Sequence, residues 1–174
     1  VDRVVAGHPE DARSHRALAR RAQAKNHERL GKWCLRSAEP AHREFARAVV
    51  DVFQGRDDAA RSVLEPLARA NPRGEAALEL GLLEIRHGRR DEGWKILDPI
   101  MASRSNRASW GPDEYYRLAR ASRASLEFLL ANDAYQQTAK APRADIQTEW
   151  GDLFLQRHRA GDAIVSYREA LAID

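Results

Sequence analysis

Small and large apolar residues recur along the chain in a fixed relation. A small residue is followed twelve positions later by a second small residue, then four later by a large or apolar one, then three later by a closing residue. The clearest copies are Ala48, Ala60, Leu64, Leu67, then Gly81, Gly93, Leu97, Ile100, and Gly151, Ala163, Tyr167, Ala170. Weaker copies are Ala19, Gly31, Leu35, Ala38 and Ala119, Ala131, Tyr135, Thr138. Successive first members stand 29, 33, 38 and 32 residues apart, a mean of 33, which is the period of a repeat of two short helices. Helices approach closely only where side chains are small. The paired small residues therefore mark crossing points, and the residues four and three further on share one helical face that buries against the next pair.

The twelve-residue gap must contain a turn, and turn residues stand there. They are Gly55-Arg56-Asp57-Asp58, Gly88-Arg89-Arg90-Asp91 and Ala160-Gly161-Asp162, with Asn132-Asp133 as a cap in the third quarter. Glycine can end a helix in the left-handed conformation and Asp can cap the next one. Pro9, Pro40, Pro72 and Pro142 punctuate repeat ends, and Pro112 begins a helix. The pattern predicts helices over 10–25, 29–38, 41–54, 58–70, 74–87, 91–103, 113–129, 132–140, 144–158 and 162–173. Pro66 and Pro99 fall inside two of them and are expected to kink both, because proline presses on the carbonyl four residues back, here Ser62 and Lys95. The expected core comprises Leu18, Leu35, Val52, Leu64, Leu67, Leu80, Leu97, Ile100, Leu118, Tyr135, Trp150, Phe154, Ile164, Tyr167 and Leu171.

Composition agrees with an all-α reading. Among 174 residues Thr occurs only at Thr138 and Thr148, Val and Ile are sparse, and 43% of residues are hydrophobic, so β-branched side chains are too few for a sheet-rich fold. No apolar run is long enough to span a bilayer, and Val1 to Pro9 lacks the charged start and apolar centre of a signal peptide. The net charge of +3 is small against 29 basic and 26 acidic residues; internal pairing of Arg with carboxylates is the expected use, and no nucleic acid is expected as partner. The single Cys34 excludes an intrachain disulfide and, beside Trp33, reads as packing.

The residues Trp150-Gly151-Asp152-Leu153-Phe154, followed by Gly161-Asp162-Ala163-Ile164-Val165-Ser166-Tyr167-Arg168-Glu169-Ala170-Leu171, resemble the tetratricopeptide repeat, here of a bacterial kind. The likeness is strong over 41–174 and weak over 1–40, and departs from the pattern at Arg47, at Arg117-Leu118 and in the extra loop from Ala102 to Gly111. The resemblance implies a right-handed superhelical solenoid of about five antiparallel helix pairs in one array over 1–174. It would comprise a degenerate repeat over 1–40 and repeats at 41–73, 74–111, 112–143 and 144–174. It further implies that the first helices line a concave groove that holds a protein or peptide partner. On helical spacing that groove takes His42, Phe45, Val49 and Val52, then Glu75, Leu78, Leu82 and Ile85. Asp113, Tyr116, Arg120 and Arg123 follow, and then Asp145, Thr148, Asp152 and Leu155. One half is apolar and the other charged; alternatively Arg120 and Arg123 simply pair with Asp152 and Glu149 on the adjoining helix.

Chemistry-bearing motifs are missing from the sequence. There is no Gly-rich phosphate loop, no Gly-x-Ser-x-Gly elbow and no His-Glu-x-x-His pair, and the six histidines are not spaced to share a metal. No cofactor, metal or catalytic residue is expected. Three function classes stay open. The favoured one is a non-catalytic protein-interaction module; the second is an accessory region of a larger, exported bacterial enzyme such as a metallopeptidase; the third is an RNA-binding helical repeat. A soluble protein of the bacterial cytoplasm or periplasm is the expectation. If the array is a piece of a longer solenoid, Leu171 and Ile173 should sit on an open end face able to self-associate.

Overall fold

The computed structural model describes residues 16, 17, 19, 40–102, 107, 109–138 and 143–173. Among them stand eight α-helices: α1 (Pro40–Phe53), α2 (Asp57–Ala70), α3 (Glu75–Arg86), α4 (Arg90–Ala102), α5 (Pro112–Ala124), α6 (Phe128–Thr138), α7 (Ala144–Gln156) and α8 (Ala160–Ile173). They form four hairpins, and each hairpin packs on the next, which makes the chain an all-α helix-pair repeat. The expected helices over 10–25 and 29–38, with Leu18, Leu35 and Cys34, lie outside the described residues apart from positions 16, 17 and 19.

The crossing points are where the small residues stand. Ala48 and Ala60, and Ala119 and Ala131, are fully buried. A Cβ placed on Gly93 would lie 2.7 Å from the Gly81 carbonyl oxygen, and one on Gly151 would lie 2.5 Å from the Tyr167 ring. Hydrogen therefore sets the helix separation in the second pair, and a flat aromatic ring fills the space left by glycine in the fourth.

Three apolar clusters run along the array. The first joins α1 to α5 through Leu64, Leu78, Leu80, Leu83, Leu97 and Ile100. The second joins α5, α6 and α7 around Leu118, Tyr135, Ile146 and Leu153, with Trp150 stacked between Tyr135 and Phe154. The third joins α7 and α8 through Ala163, Tyr167 and Ala170, and includes Ala19. The described part of the N-terminal segment thus lies on the last helix pair, where Arg16 Nε donates to Asp152 Oδ1 at 2.8 Å. Leu171 is half-buried and Ile173 is exposed. Val52, Leu67, Trp150 and Phe154 are half-buried rather than interior. Helices α2 and α4 run on through Pro66 and Pro99.

Two turn assignments need correction. The third hairpin does not turn at Asn132-Asp133: α5 stops at Ala124, α6 starts at Phe128, and Asn132 sits inside α6, where its Oδ1 accepts the Trp150 indole N–H at 3.1 Å. In the fourth hairpin the left-handed residue is His158 at φ 58°, and Gly161 already belongs to α8. Asn132 serves Trp150 instead of a helix cap, and the amide of Arg159 closes α7 on the Phe154 carbonyl two residues before Gly161.

Candidate binding cleft

All four hairpins turn in the same way. The second residue after the first helix takes a positive φ, at Gly55 (73°), Gly88 (81°), Leu126 (66°) and His158 (58°). The next amide then donates to the carbonyl five residues back: Arg56 to Asp51, Arg89 to Glu84, Glu127 to Ser122 and Arg159 to Phe154, at 2.8 to 3.0 Å. This is the Schellman closure of a helix C-terminus.

Side chains repeat the closure in three hairpins. Arg56 pairs with Asp51, Arg89 with Glu84, and Arg159 lies over the Phe154 ring at 5.2 Å. The third hairpin breaks the rule at every place. Glycine or His gives way to Leu126, Arg to Glu127, and the acid to Ser122, a fully buried residue whose hydroxyl has no hydrogen-bond partner. A leucine at positive φ is strained, because its Cβ crowds the backbone, and here it is also 57% exposed.

That turn borders a cleft of about 460 Å³, within the size range of ligand sites (roughly 300–1,000 Å³). Leu82 and Ile85 from α3, Trp94 from α4, Ala124 from α5, Leu126 and Phe128 give it apolar walls. Arg90, Arg120, Arg123, Glu149 and Gln156 supply its polar atoms. Trp94 is fixed by donating its indole N–H to the Ala124 carbonyl at 3.3 Å.

The two inner arginines belong to an ion-pair row that crosses from α3 through α5 to α7. Arg120 contacts Glu79 at 2.6 Å and Glu149 at 3.3 Å, and lies over the Tyr116 ring. Arg123 contacts Asp152 at 3.7 Å and donates to the Glu149 carbonyl at 2.9 Å. Arg117 continues the row to Glu75 at 2.8 Å. Burial works against the Arg120 charge, but Glu79 and Glu149 overcome it and hold the guanidinium well above its ordinary pKa. Burial and the Glu149 charge push the hydroxyls of Tyr116 and Tyr135 up, and Tyr135 donates to Glu149 at 3.3 Å. Arginine releases no proton at ordinary pH, so these guanidinium groups can hold or orient a group but cannot move a proton.

Of the groove residues expected from spacing, Leu82, Ile85, Arg120 and Arg123 meet at the cleft. Leu78 is fully buried in the first cluster and offers no surface. Phe45 and Val52 are half-buried and pack on that cluster, and Val49 is half-buried. Tyr116 is buried beneath the guanidinium groups of Arg120 and Arg143. Asp113 and Asp145 both pair with Arg143, at 2.6 Å each. Asp152 is buried and accepts from Tyr167 at 2.8 Å as well as from Arg16. Thr148 is buried with its hydroxyl on the Ala144 carbonyl, and Leu155 packs on the third cluster. The side chain of His42 lies outside the described residues. Spacing missed Arg90, Trp94, Leu126 and Phe128, because they stand on second helices and a turn, and it missed Gln156, the last residue of α7. The one signal available was that the third hairpin lacks the Gly-Arg dipeptide of the first two.

Among the described residues no group of three or more His, Cys, Asp or Glu could hold a metal, and no helix is long and apolar enough to cross a membrane. No protein-family model and no curated protein matches the chain. Solved structures that match include MamA, from residue 41 to its end, of Desulfovibrio magneticus RS-1. That match has 13% identity over 93% of this chain and 94% of that one, with a TM-score of 0.48. An RS-1 MamA double mutant gives 14% identity over 93% of each chain and a TM-score of 0.46. AMB-1 MamA gives 15% identity over 91% of this chain and 86% of that one, with a TM-score of 0.39. Likeness at this level assigns neither family nor function.

Proposed function

We propose that the chain is a non-catalytic protein-interaction module of the tetratricopeptide kind, which holds an extended or helical peptide of a partner along the row of first helices. The observation that carries this reading is the cleft itself. Three consecutive hairpins contribute to it, its walls set Leu82, Ile85, Trp94, Leu126 and Phe128 beside charged side chains, and its inner charges are already matched by Glu79, Glu149 and Asp152. A surface of that composition gains from covering apolar area while its fixed ion pairs set register. Its arginines supply no acid, base or nucleophile.

The test is selection of peptides from a random displayed library, followed by amide chemical-shift mapping of a selected binder on the intact chain. Perturbations should centre on Leu82, Ile85, Arg120, Arg123 and Trp94 and leave the outward residues Glu65 and Asp98 unmoved. If no peptide is selected, or if perturbations gather on the outward faces of α2 and α4, the reading is wrong.

A further inference from the structure

The departures of the third hairpin and the charges around the cleft point to one kind of occupant. Inside, each arginine has its carboxylate: Arg120 has Glu79 and Glu149, and Arg123 has Asp152. At the rim the balance fails. Arg90, which lines the cleft, and Arg157, whose guanidinium lies 5.1 Å over the Phe128 ring, have no acidic partner among the described residues. Both are exposed. The other turn arginines, Arg56 and Arg89, are tied back to Asp51 and Glu84, and Arg159 pairs with Asp162 at 2.7 Å. One of these cations thus lines the cleft and the other lies over the ring of Phe128, which lines it together with Leu82, Ile85 and Trp94.

Leu126 lines the same cleft. Strain held at an exposed position, with the ion pair of the neighbouring turns also missing, is unfavourable for the free chain. It is explained if the leucine meets an apolar group of a partner. A nucleic-acid strand suits the same place less well: its phosphates run as a continuous row, whereas only two cations next to the cleft, Arg90 and Arg157, lack an acidic partner among the described residues.

Resting on the groove reading above, we propose that this cleft takes a peptide segment in which a bulky apolar side chain lies next to carboxylates. The side chain enters against Leu126, Phe128 and Trp94, and Asp or Glu residues flanking it meet Arg90 and Arg157. Free guanidinium groups bind carboxylate with charge-assisted hydrogen bonds, and rim charges act through association rate and salt dependence.

The experiment uses fluorescent synthetic peptides and the full chain. One panel carries Trp, Phe or Leu flanked by Asp and Glu; the second replaces those acids with Asn and Gln; the third replaces them with Lys; the fourth keeps the acids and replaces the apolar residue with Ser. Anisotropy at low and at physiological salt should rank the first panel at least tenfold above the others, with the advantage shrinking as salt rises. Arg90→Glu and Arg157→Glu, both at exposed positions, should keep the far-ultraviolet dichroism of the parent. They should bring the first panel down to the second and raise the third. Equal binding of the first three panels, or preference for Lys peptides by the parent, overturns the acidic partner but leaves the groove reading standing. Binding by no panel at all overturns both. If sedimentation shows instead that the chain dimerises and that Arg90→Glu abolishes the dimer, the occupant is a second copy and the proposal is wrong.

Discussion

The backbone-to-backbone approach of α3 and α4 at Gly81 and Gly93 makes Gly93→Ala the sharpest test of the packing account. In an exposed helix this change stabilises by about 1 kcal/mol, because glycine has the poorer helix propensity. Here the added methyl would stand 2.7 Å from the Gly81 carbonyl oxygen, 3.2 Å from the Ile85 amide nitrogen and 2.5 Å from Ile85 Cγ1. The ends of flexible side chains can yield, but two of these atoms are backbone, so α3 and α4 must separate. Overpacking costs roughly 1–3 kcal/mol, and a backbone obstruction belongs at the top of that range, which leaves a net loss of about 2 kcal/mol. For a chain of this size that lowers Tm by about 4–8 °C and the urea midpoint by about 1 M. Gly161→Ala is the matched control: nothing stands within 4 Å of its added methyl, so it should stabilise by about 0.5 kcal/mol. Urea titrations followed by far-ultraviolet dichroism, which reads helix content, report both. If Gly93→Ala equals or exceeds the parent in stability, the small residues are not setting helix separation and the repeat reading fails.

Leu126→Gly should relieve a left-handed strain of about 1 kcal/mol and raise Tm. At the same time it should weaken apolar-acidic peptides at the cleft, so that stability and binding move in opposite directions; a parallel change would separate Leu126 from the cleft. Arg120→Met leaves the buried carboxylates of Glu79 and Glu149 without their cation and should cost about 3–5 kcal/mol in chemical denaturation; a loss under about 1 kcal/mol would show that the row is ornamental to the fold. Reversing Arg120 and Arg123 to acids would unfold the chain for the same reason and is no test of binding. Alkaline pH should destabilise the protein. Tyr116 and Tyr135 keep their protons in the fold while the unfolded chain releases its own near pH 10.0. Stability is therefore full below that pH and falls above it, by about 1.4 kcal/mol per pH unit for each tyrosine. Tyr135→Phe should flatten the fall by one tyrosine's share, measured as unfolding free energy at two pH values above 10.0; an unchanged slope would contradict the burial of that hydroxyl.

How far the sequence could be read depends on the range of each interaction. Helix pairs and crossing points follow from local spacing, because a residue's face on a helix depends only on its neighbours in the chain. Gly81, Gly93 and Gly151 were therefore legible as contact points, and Leu64, Leu97 and Tyr167 as core. The third turn was misread because Asn132 has the chemistry of a cap, whereas its amide oxygen serves Trp150 from a helix eighteen residues away. The groove was legible only in part. Leu82, Ile85, Arg120 and Arg123 follow from spacing, but Arg90, Trp94, Phe128 and Gln156 line the cleft because neighbouring pairs stack there, which no single helix encodes. The seat of Arg16 on Asp152, 136 residues apart, belongs to the same class. Spacing told which residues share a face. Only the stacking of hairpins decided which faces meet, because charge and burial act through space between residues that the chain keeps far apart.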